Sequence, residues 1–507
     1  MVMKLKPISE NNAKASKESL FSTLKTFSKL TESIVHKAYG FLILGWLLGC
    51  GAATVRAQPG SLPAPRPRVL VLTDIGNEPD DAQSLVRFLL YANEFDVEGL
   101  LATTSTWLRD SVRTDIIQGH LAAYRDVQDN LSRHAEGYPT AETLLSKTKP
   151  CRPVYGMAGV GEGMQSPGSE HIIAVVDSPD PRPVWIPIWG GANCLAQALW
   201  EVRRDRSTAA VAAFVKKIRV YTISDQDDAG PWIRRSFPDL FYIVSPSSQG
   251  SEDYGKATWV GISGRSFRGS DTTLVDNPWL KENIREGHGP LGARYPATIY
   301  IMEGDTPSFL NLIPNGLAAH RSPAFGGWGG RYRLAQPAGE TRPIWTNDDD
   351  RVTGVDGEVY TSNQATIWRW REAYQHDLAA RIDWSAGPER TAANHNPVAL
   401  LNGTRGTEPL FLDVAPGREI YLSAEGSHDP DSRDTITWTW WVYPEAGTYS
   451  GSVSLREEEA EQAIISIPDD AAGTTIHVIL EVKDDGTPAL RSYRRAVLQV
   501  QTREKND

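Results

Sequence analysis

With 507 residues the chain is too long for one compact domain and implies two or three folded units. A hydrophobic content of 40% beside 23% charged residues is that of a globular protein with a proper core, which excludes a disordered or fibrous chain. The formal charge of −11 argues against nucleic acid as a partner, and the three cysteines include no pair at metal-site spacing. Sixteen Trp and seventeen Tyr offer flat faces that suit sugar rings, although core packing accounts for them equally well.

Residues 1–57 read as an export segment. A lysine-bearing polar start precedes the apolar run Phe41–Gly49, which is too short to span a bilayer but fits a signal core. Two processing sites compete there. Leu47-Leu48-Gly49-Cys50 resembles a lipoprotein box with Cys50 as a lipid anchor, and Val55-Arg56-Ala57 resembles an ordinary signal-peptidase site. Either way the mature protein is expected to be exported: periplasmic, outer-membrane or extracellular. Residues 58–66 are rich in proline and alanine and read as an extended linker.

The next stretch, Arg68 to Ala82, organises the rest. An apolar strand runs into Asp74-Ile-Gly-Asn-Glu78-Pro-Asp80-Asp81, and Leu85, Phe88, Leu89 and Ala92 then share one helix face. Four acids so close together repel one another unless a cation or a helix dipole offsets their charge. Their hard oxygens suit Ca²⁺ or Mg²⁺. The alternative is an N-capping turn with surface acids.

Val97–Thr103 forms a second strand, ending in the polar and aromatic Thr104-Ser-Thr106-Trp107. Pro183–Trp189 is another, closed by Gly190-Gly-Ala192-Asn193. Lys217–Ser224 is a third, ending in Asp225-Gln-Asp227-Asp228, and Phe241–Val244 a fourth. Strands alternating with helical patterns predict an α/β domain with an open, mostly parallel sheet flanked by helices, spanning 67–392. Its ligand crevice should lie beyond the carboxyl ends of the strands. From Gly250 to Thr361 the pattern is loop-rich, and Ile367–Trp384 reads as a helix. From 393 to 502, short alternating runs with Asp, Gly and Pro turns predict an Ig-like β-sandwich. Cys151 and Cys194 are able to pair if the protein is exported, but their proximity is not readable from sequence.

Several further residues have two readings each. Asp225, Asp227 and Asp228 either line the crevice or form a solvated turn. Glu303 and Asp305 are either site acids or turn residues before Pro307. Trp107, Trp232 and Trp328 are sugar platforms or core. Ser427-His-Asp429-Pro-Asp431 resembles a turn of polycystic-kidney-disease-type Ig folds and is expected to be structural, or a peripheral Ca²⁺ loop.

The Asp74-to-Ala82 turn resembles the first metal loop of the inosine-uridine nucleoside hydrolases. Pro153-Val-Tyr, Trp189-Gly-Gly-Ala192-Asn193 and His376-Asp377-Leu-Ala follow in that family's order. From Pro67 to Val500 the chain more closely resembles a bacterial family described as cellulose-binding, with a nucleoside-hydrolase-like (Rossmann-like) domain and a C-terminal Ig-like domain. Ser224-Asp-Gln-Asp-Asp-Ala-Gly-Pro-Trp, Met302-Glu-Gly-Asp-Thr-Pro-Ser-Phe-Leu and Trp368-Arg-Trp-Arg-Glu-Ala-Tyr-Gln carry that likeness.

The resemblance implies Ca²⁺ held by Asp74, Asp80, Asp81, the backbone carbonyl near Ala192, and a distal acid at Asp377. It also implies that Asp74 is the general base toward a metal-bound water, with His376 at the position of a leaving-group acid. Asn77, Glu78, Thr106, Trp107 and Asn193 would contact substrate, beside the acids at 225, 227, 228, 303 and 305. The sequence departs from the nucleoside hydrolases in two places. Asn77-Glu78-Pro79 separates Gly76 from Asp80, and Thr106-Trp107 stands where a ribose-contacting asparagine is expected. The implied function is a Ca²⁺-dependent hydrolase of an N- or O-glycosidic bond; the alternative is a non-catalytic carbohydrate-binding protein. The expected partner is a carbohydrate or glycoside, with homo-oligomerisation left open.

Overall fold

The computed structural model describes residues 66–247, 253–264 and 268–502. The expected export segment, the lipid-anchor cysteine Cys50 and all but the last residue of the linker lie outside them. No helix among the described residues is long and apolar enough to cross a membrane.

Strand β1 (Arg68–Thr73) is buried at every position, as a leucine- and valine-rich strand covered on both faces must be. It occupies the middle of an eight-stranded sheet with β2 (Asp96–Ala102), β3 (Thr148–Pro150), β4 (Val184–Ile188), β5 (Ile218–Thr222), β6 (Phe241–Val244), β7 (Tyr332–Ala335) and β8 (Ile344–Asn347). The order is β3-β2-β1-β4-β5-β6-β8-β7, and every pairing except β7 with β8 is parallel. Helices α1 (Asp80–Leu90), α2 (Thr114–His134), α3 (Pro167–Asp177), α4 (Asn193–Asp205), α5 (Thr208–Lys216) and α6 (Ala229–Ser236) follow the strands in βαβ fashion. The chain winds outward one way from β1 through β2 to β3, and the other way from β4 to β6. The strand order therefore reverses between β1 and β4, and a crevice opens at their carboxyl ends.

The stretch expected to be loop-rich contains more structure than its composition suggested. β7 and β8 extend the main sheet, and β9 (Asp350–Thr353) pairs with β10 (Val359–Ser362). Each is four residues long, too short to show periodicity among the glycines and prolines around it. Helix α7 (Arg371–Ala386) follows a short helical turn at Ala365–Trp368.

The remaining strands form two facing sheets. One has the order β11 (Leu410–Val414), β17 (Arg491–Val500), β16 (Thr475–Asp484), β13 (Ile436–Val442); the other is β12 (Glu419–Ser423), β15 (Gln462–Ser466), β14 (Ser454–Arg456). Their inner faces bury Leu422, Trp440, Ile465 and Leu480. This module is not a loosely tethered bead. Tyr443, Ile479 and Tyr493 belong to the same buried cluster as Phe88 and Trp370 of the α/β domain. Arg495, fully buried, donates from Nε to Leu317 O at 2.7 Å and from Nη2 to Gly326 O at 3.0 Å. The Tyr443 hydroxyl donates to Asp350 at 2.6 Å.

Candidate active site

Asp74 leaves β1 where the chain turns out of the sheet, and Asp80 and Asp81 open α1. The helix needs no side-chain cap there because its two acids face its own positive end. Thr73 donates to Asp81, tying the strand end to the helix start. A third chain segment completes the cluster: single carboxylate oxygens of Asp80, Asp81 and Asp305 lie within 4.8 Å of one another. All four acids are buried, with exposures of 5, 8, 5 and 3% for Asp74, Asp80, Asp81 and Asp305.

Close approach is possible because two glycines stand aside. A side-chain carbon at Gly190, after β4, would lie 2.6 Å from Asp74 Oδ1, and one at Gly304 would lie 2.7 Å from Asp80 Oδ2. Asp74 Oδ1, Asp80 Oδ1 and Asp305 Oδ2 are buried without any hydrogen-bond partner. Burial, followed by the charges of Glu78 and Asp74, pushes Asp80 up to about 7. Asp81 and Asp305 are driven well above the carboxylate range, by burial first and by their acidic neighbours next. Asp74 is also raised, chiefly by burial, against a lowering contact from Ser105. Unpaired carboxylates of this kind are costly, and an oxygen-seeking cation relieves both the desolvation and the repulsion. The donor set fits one.

The loop that delivers Asp305 is held from beneath. Glu303 adopts a left-handed backbone at φ 50°, unusual for a residue other than glycine. Its carboxylate accepts from Arg87 Nε at 2.5 Å and Nη2 at 3.1 Å, from the Tyr295 hydroxyl at 2.7 Å and from Thr306 at 2.8 Å. Gln83 accepts from Glu303 N at 2.9 Å. Ser308 accepts from Trp189 Nε1 at 3.0 Å and donates to Asp305 O at 2.6 Å. Tyr254 lies near the cluster, where burial and the acids of Glu78, Asp80, Asp305 and Asp74 keep its phenol protonated. Its ring meets Trp259 edge-on at 5.3 Å.

Several expected site residues have other work. Asp377 is not with the cluster. It accepts from Tyr91 beyond the far end of α1, pairs with Arg381 at 3.0 Å and accepts from Asn396 at 2.8 Å, whereas Asp305 lies with Asp80 and Asp81. His376 faces the β-sandwich, with Nδ1 3.2 Å from Ala489 O, and cannot serve the crevice as an acid. Successive residues of an α-helix point about 100° apart, so sequence adjacency to a supposed ligand was no guide to its direction. The Ala192 carbonyl takes the first helical bond of α4, from Ala196 N at 2.9 Å.

Glu303 is a buried ion-pair partner rather than a substrate contact. Asn193 is buried and spent on Thr103, Thr104 and Val154. Asp225 is paired with Arg234 at 2.8 Å, and Asp228 accepts from Met157 N at 2.8 Å. Asp227 is buried at the start of α6, accepting from Ala229 N and, across the sheet edge, from Asn193 N at 3.1 Å; burial raises it to about 7. Trp328 is 2% exposed and is core, while Trp232 packs against Phe237 and Arg203. At the rim, Asn77 and Trp107 are exposed, and Glu78 and Thr106 are half-buried. Cys151 and Cys194 form a disulfide that joins the end of β3 to the first turn of α4.

Sequence reading missed the supports: Gln83, Arg87, Ser105, Tyr254 and Trp259. One signal was available for Arg87. It lies seven residues after Asp80, on the apolar face of α1, where an arginine requires a buried partner.

A doubly wound parallel sheet with an acidic crevice at its switch point, backed by a fused β-sandwich, defines a nucleoside-hydrolase-like class of protein. Residues 68–332 match the family model "Cellulose-binding Sde182, nucleoside hydrolase-like domain", and 419–500 match "Cellulose-binding protein Sde0182, C-terminal domain". The chain belongs to this family. A solved structure described as a nucleoside hydrolase-related hypothetical protein from Saccharophagus degradans, associated with carbohydrate metabolism, is 39% identical. The match covers 86% of this chain and 100% of that one, with a TM-score of 0.74. A PKD domain from KIAA 1837 protein is 16% identical over 20% of this chain and 87% of its own, with a TM-score of 0.15. The effector protein XOO4466 is 10% identical over 65% of this chain and 95% of its own, with a TM-score of 0.35. No curated protein matches.

Proposed function

We propose that the protein is an exported, Ca²⁺-dependent glycoside hydrolase that cleaves an N- or O-glycosidic bond of a carbohydrate. The observation that carries this reading is the convergence of four buried carboxylates, three with orphaned oxygens, at the sheet's switch point. Asp80, Asp81 and Asp305, with Asp74 beside them, would hold the cation. A bound Ca²⁺ would supply charge neutralisation and polarise oxygens of water and sugar. Asp74, freed of its neighbours' repulsion, takes the proton from the attacking water at an oxocarbenium-like sugar centre. Glu78 at the rim is half-buried and raised by burial and by the charge of Asp74, which suits it to protonate a leaving group in place of His376. Export is supported by the Cys151–Cys194 disulfide, since such bonds persist in oxidising compartments.

A second reading, a non-catalytic carbohydrate-binding protein on the same scaffold, is favoured by the cellulose-binding description of the family and of its C-terminal domain. Turnover on nucleosides and aryl glycosides, furanosides included, separates the two when run with Ca²⁺ and then with chelator. The hydrolase reading expects chelator-sensitive cleavage that Asp74→Asn lowers by at least about a hundredfold. Absence of cleavage on every substrate, with retention on cellulose unaltered in Asp74→Asn, would establish the binding reading instead.

A further inference from the structure

At the opposite end of the sheet from the crevice, a cleft of about 500 Å³ opens beside the first residues of β5, β6 and β8. Its lining sets three cations, Lys216, Arg219 and Arg342, against a single acid, Asp239. In a chain with a formal charge of −11, such a positive hollow runs against the overall balance. Strand register supplies an apolar wall beside the charges. Arg219 pairs with Phe241, Ile243 with Trp345, and Trp345 with Leu334, so the side chains of Arg219, Phe241, Trp345 and Leu334 emerge on one face. Phe241 and Trp345 are half-buried with their rings 6.4 Å apart, and Leu334 is 59% exposed.

The Arg219 guanidinium is held in place by the protein alone. Its Nη1 donates to Lys216 O at 3.0 Å and Ile218 O at 2.9 Å, which closes the last turn of α5. Its plane lies over the Phe241 ring at 5.1 Å. Helix capping therefore accounts for Nη1 only. Nε and Nη2 donate to no group among the described residues, and this edge is the fork that takes two oxygens of one oxyanion. Arg342 is anchored in the same way, through Nη1 to Pro343 O at 3.1 Å and Nη2 to Leu240 O at 2.8 Å, while its Nε is buried without a partner. Its acidic neighbour Glu340 is already taken by Arg234 at 2.6 Å. Burial pulls both arginines below their ordinary value, and for Arg219 no acid opposes the shift. An anion in the cleft offsets that desolvation.

We propose that this cleft binds an acidic sugar, with the carboxylate or sulfate on the Arg219 fork and the ring against Phe241 and Trp345. Lys216 and Arg342 add attraction. A bare anion would leave the aromatic wall unused, whereas a sugar ring covers it with its C–H face. Asp239, exposed at the mouth, accepts from ring hydroxyls and repels ligands of higher charge, such as phosphate esters. The site stands apart from the crevice and does not depend on catalysis.

Calorimetry on the full chain tests it, with digalacturonate, galactose 6-sulfate, neutral galactobiose, sodium sulfate and AMP as probes. Wild type should bind at least one of the two acidic sugars, and which one tells carboxylate from sulfate. Arg219→Gln should weaken that binding by at least about tenfold. Lys216→Glu, at an exposed position where folding is not at stake, should weaken it by at least about threefold, and added NaCl should weaken it in wild type. Asp305→Asn should bind like wild type. Failure of both acidic sugars to bind, or equally tight binding of galactobiose, sulfate or AMP, would overturn the proposal. So would titrations of Arg219→Gln and Lys216→Glu that superimpose on wild type. Loss of binding in Asp305→Asn alone would place the acidic sugar in the crevice and overturn it as well. Failure of the crevice reading looks different, since the absence of glycosidic cleavage leaves every one of these titrations unchanged.

Discussion

Replacing Arg87 by Met removes a charge that lies 0% exposed against an equally buried Glu303. The methionine fills a similar volume, so the loss is electrostatic rather than a cavity. Glu303 keeps only the Tyr295 and Thr306 hydroxyls and the carboxylate becomes an uncompensated buried charge, while Tyr374 O and Gln375 lose a donor at 2.8 and 2.5 Å. Breaking one side of a buried pair costs about 3–5 kcal/mol, a large share of the roughly 5–15 kcal/mol that folded domains have in total. Removing both charges, in Arg87→Met with Glu303→Leu, should recover part of that loss. The double variant should still bind Ca²⁺ weakly, because Glu303 holds the left-handed turn that presents Asp305. Urea unfolding in chelator, followed by tryptophan fluorescence, measures the stabilities. A single variant losing less than about 1 kcal/mol, or a double variant no better than the single, would refute the assignment of Glu303 as a structural anchor.

Two further outcomes follow from the crevice. The folded-state value of about 7 at Asp80 lies above the ordinary 3.8, so the metal-free protein binds this proton more tightly when folded. Stability is then complete below pH 4 and lost as pH rises through 7, by about 4 kcal/mol at some 1.4 kcal/mol per unit. Chelated wild type should show this fall in a thermal-shift series, Asp80→Asn should lessen it while the raised Asp74, Asp81 and Asp305 keep a remainder, and Ca²⁺ should stabilise wild type more at pH 8 than at pH 5. Gly304→Ala places a carbon 2.7 Å from Asp80 Oδ2 and 3.3 Å from Trp259. It should weaken Ca²⁺ binding by roughly tenfold with little change in chelated stability, and unchanged affinity would show that the cation sits elsewhere.

The α/β sheet and the β-sandwich were legible because their strands are apolar enough, and long enough, to show their period. Asp74, Asp80 and Asp81 were legible as a group because they are close in sequence. Asp305 was visible as a candidate but not as a neighbour of Asp80 and Asp81, since only the fold brings residue 305 to residue 80. Asp377 drew that role by standing beside a histidine in a familiar pattern, yet it lies near Tyr91, beyond the other end of the same helix. The pairing of Glu303 with Arg87 spans 216 residues and leaves no local trace beyond one arginine on an apolar face. The hairpin of β7 and β8 was hidden among glycines.

The shared core between the two folds has a mechanical consequence. Arg495, Tyr443 and Tyr493 are keyed into backbone carbonyls, an aspartate and rings of the α/β domain, so the sandwich turns with the crevice rather than swinging on a tether. Anything gripped by the sandwich is therefore presented to the crevice at a constant offset and angle.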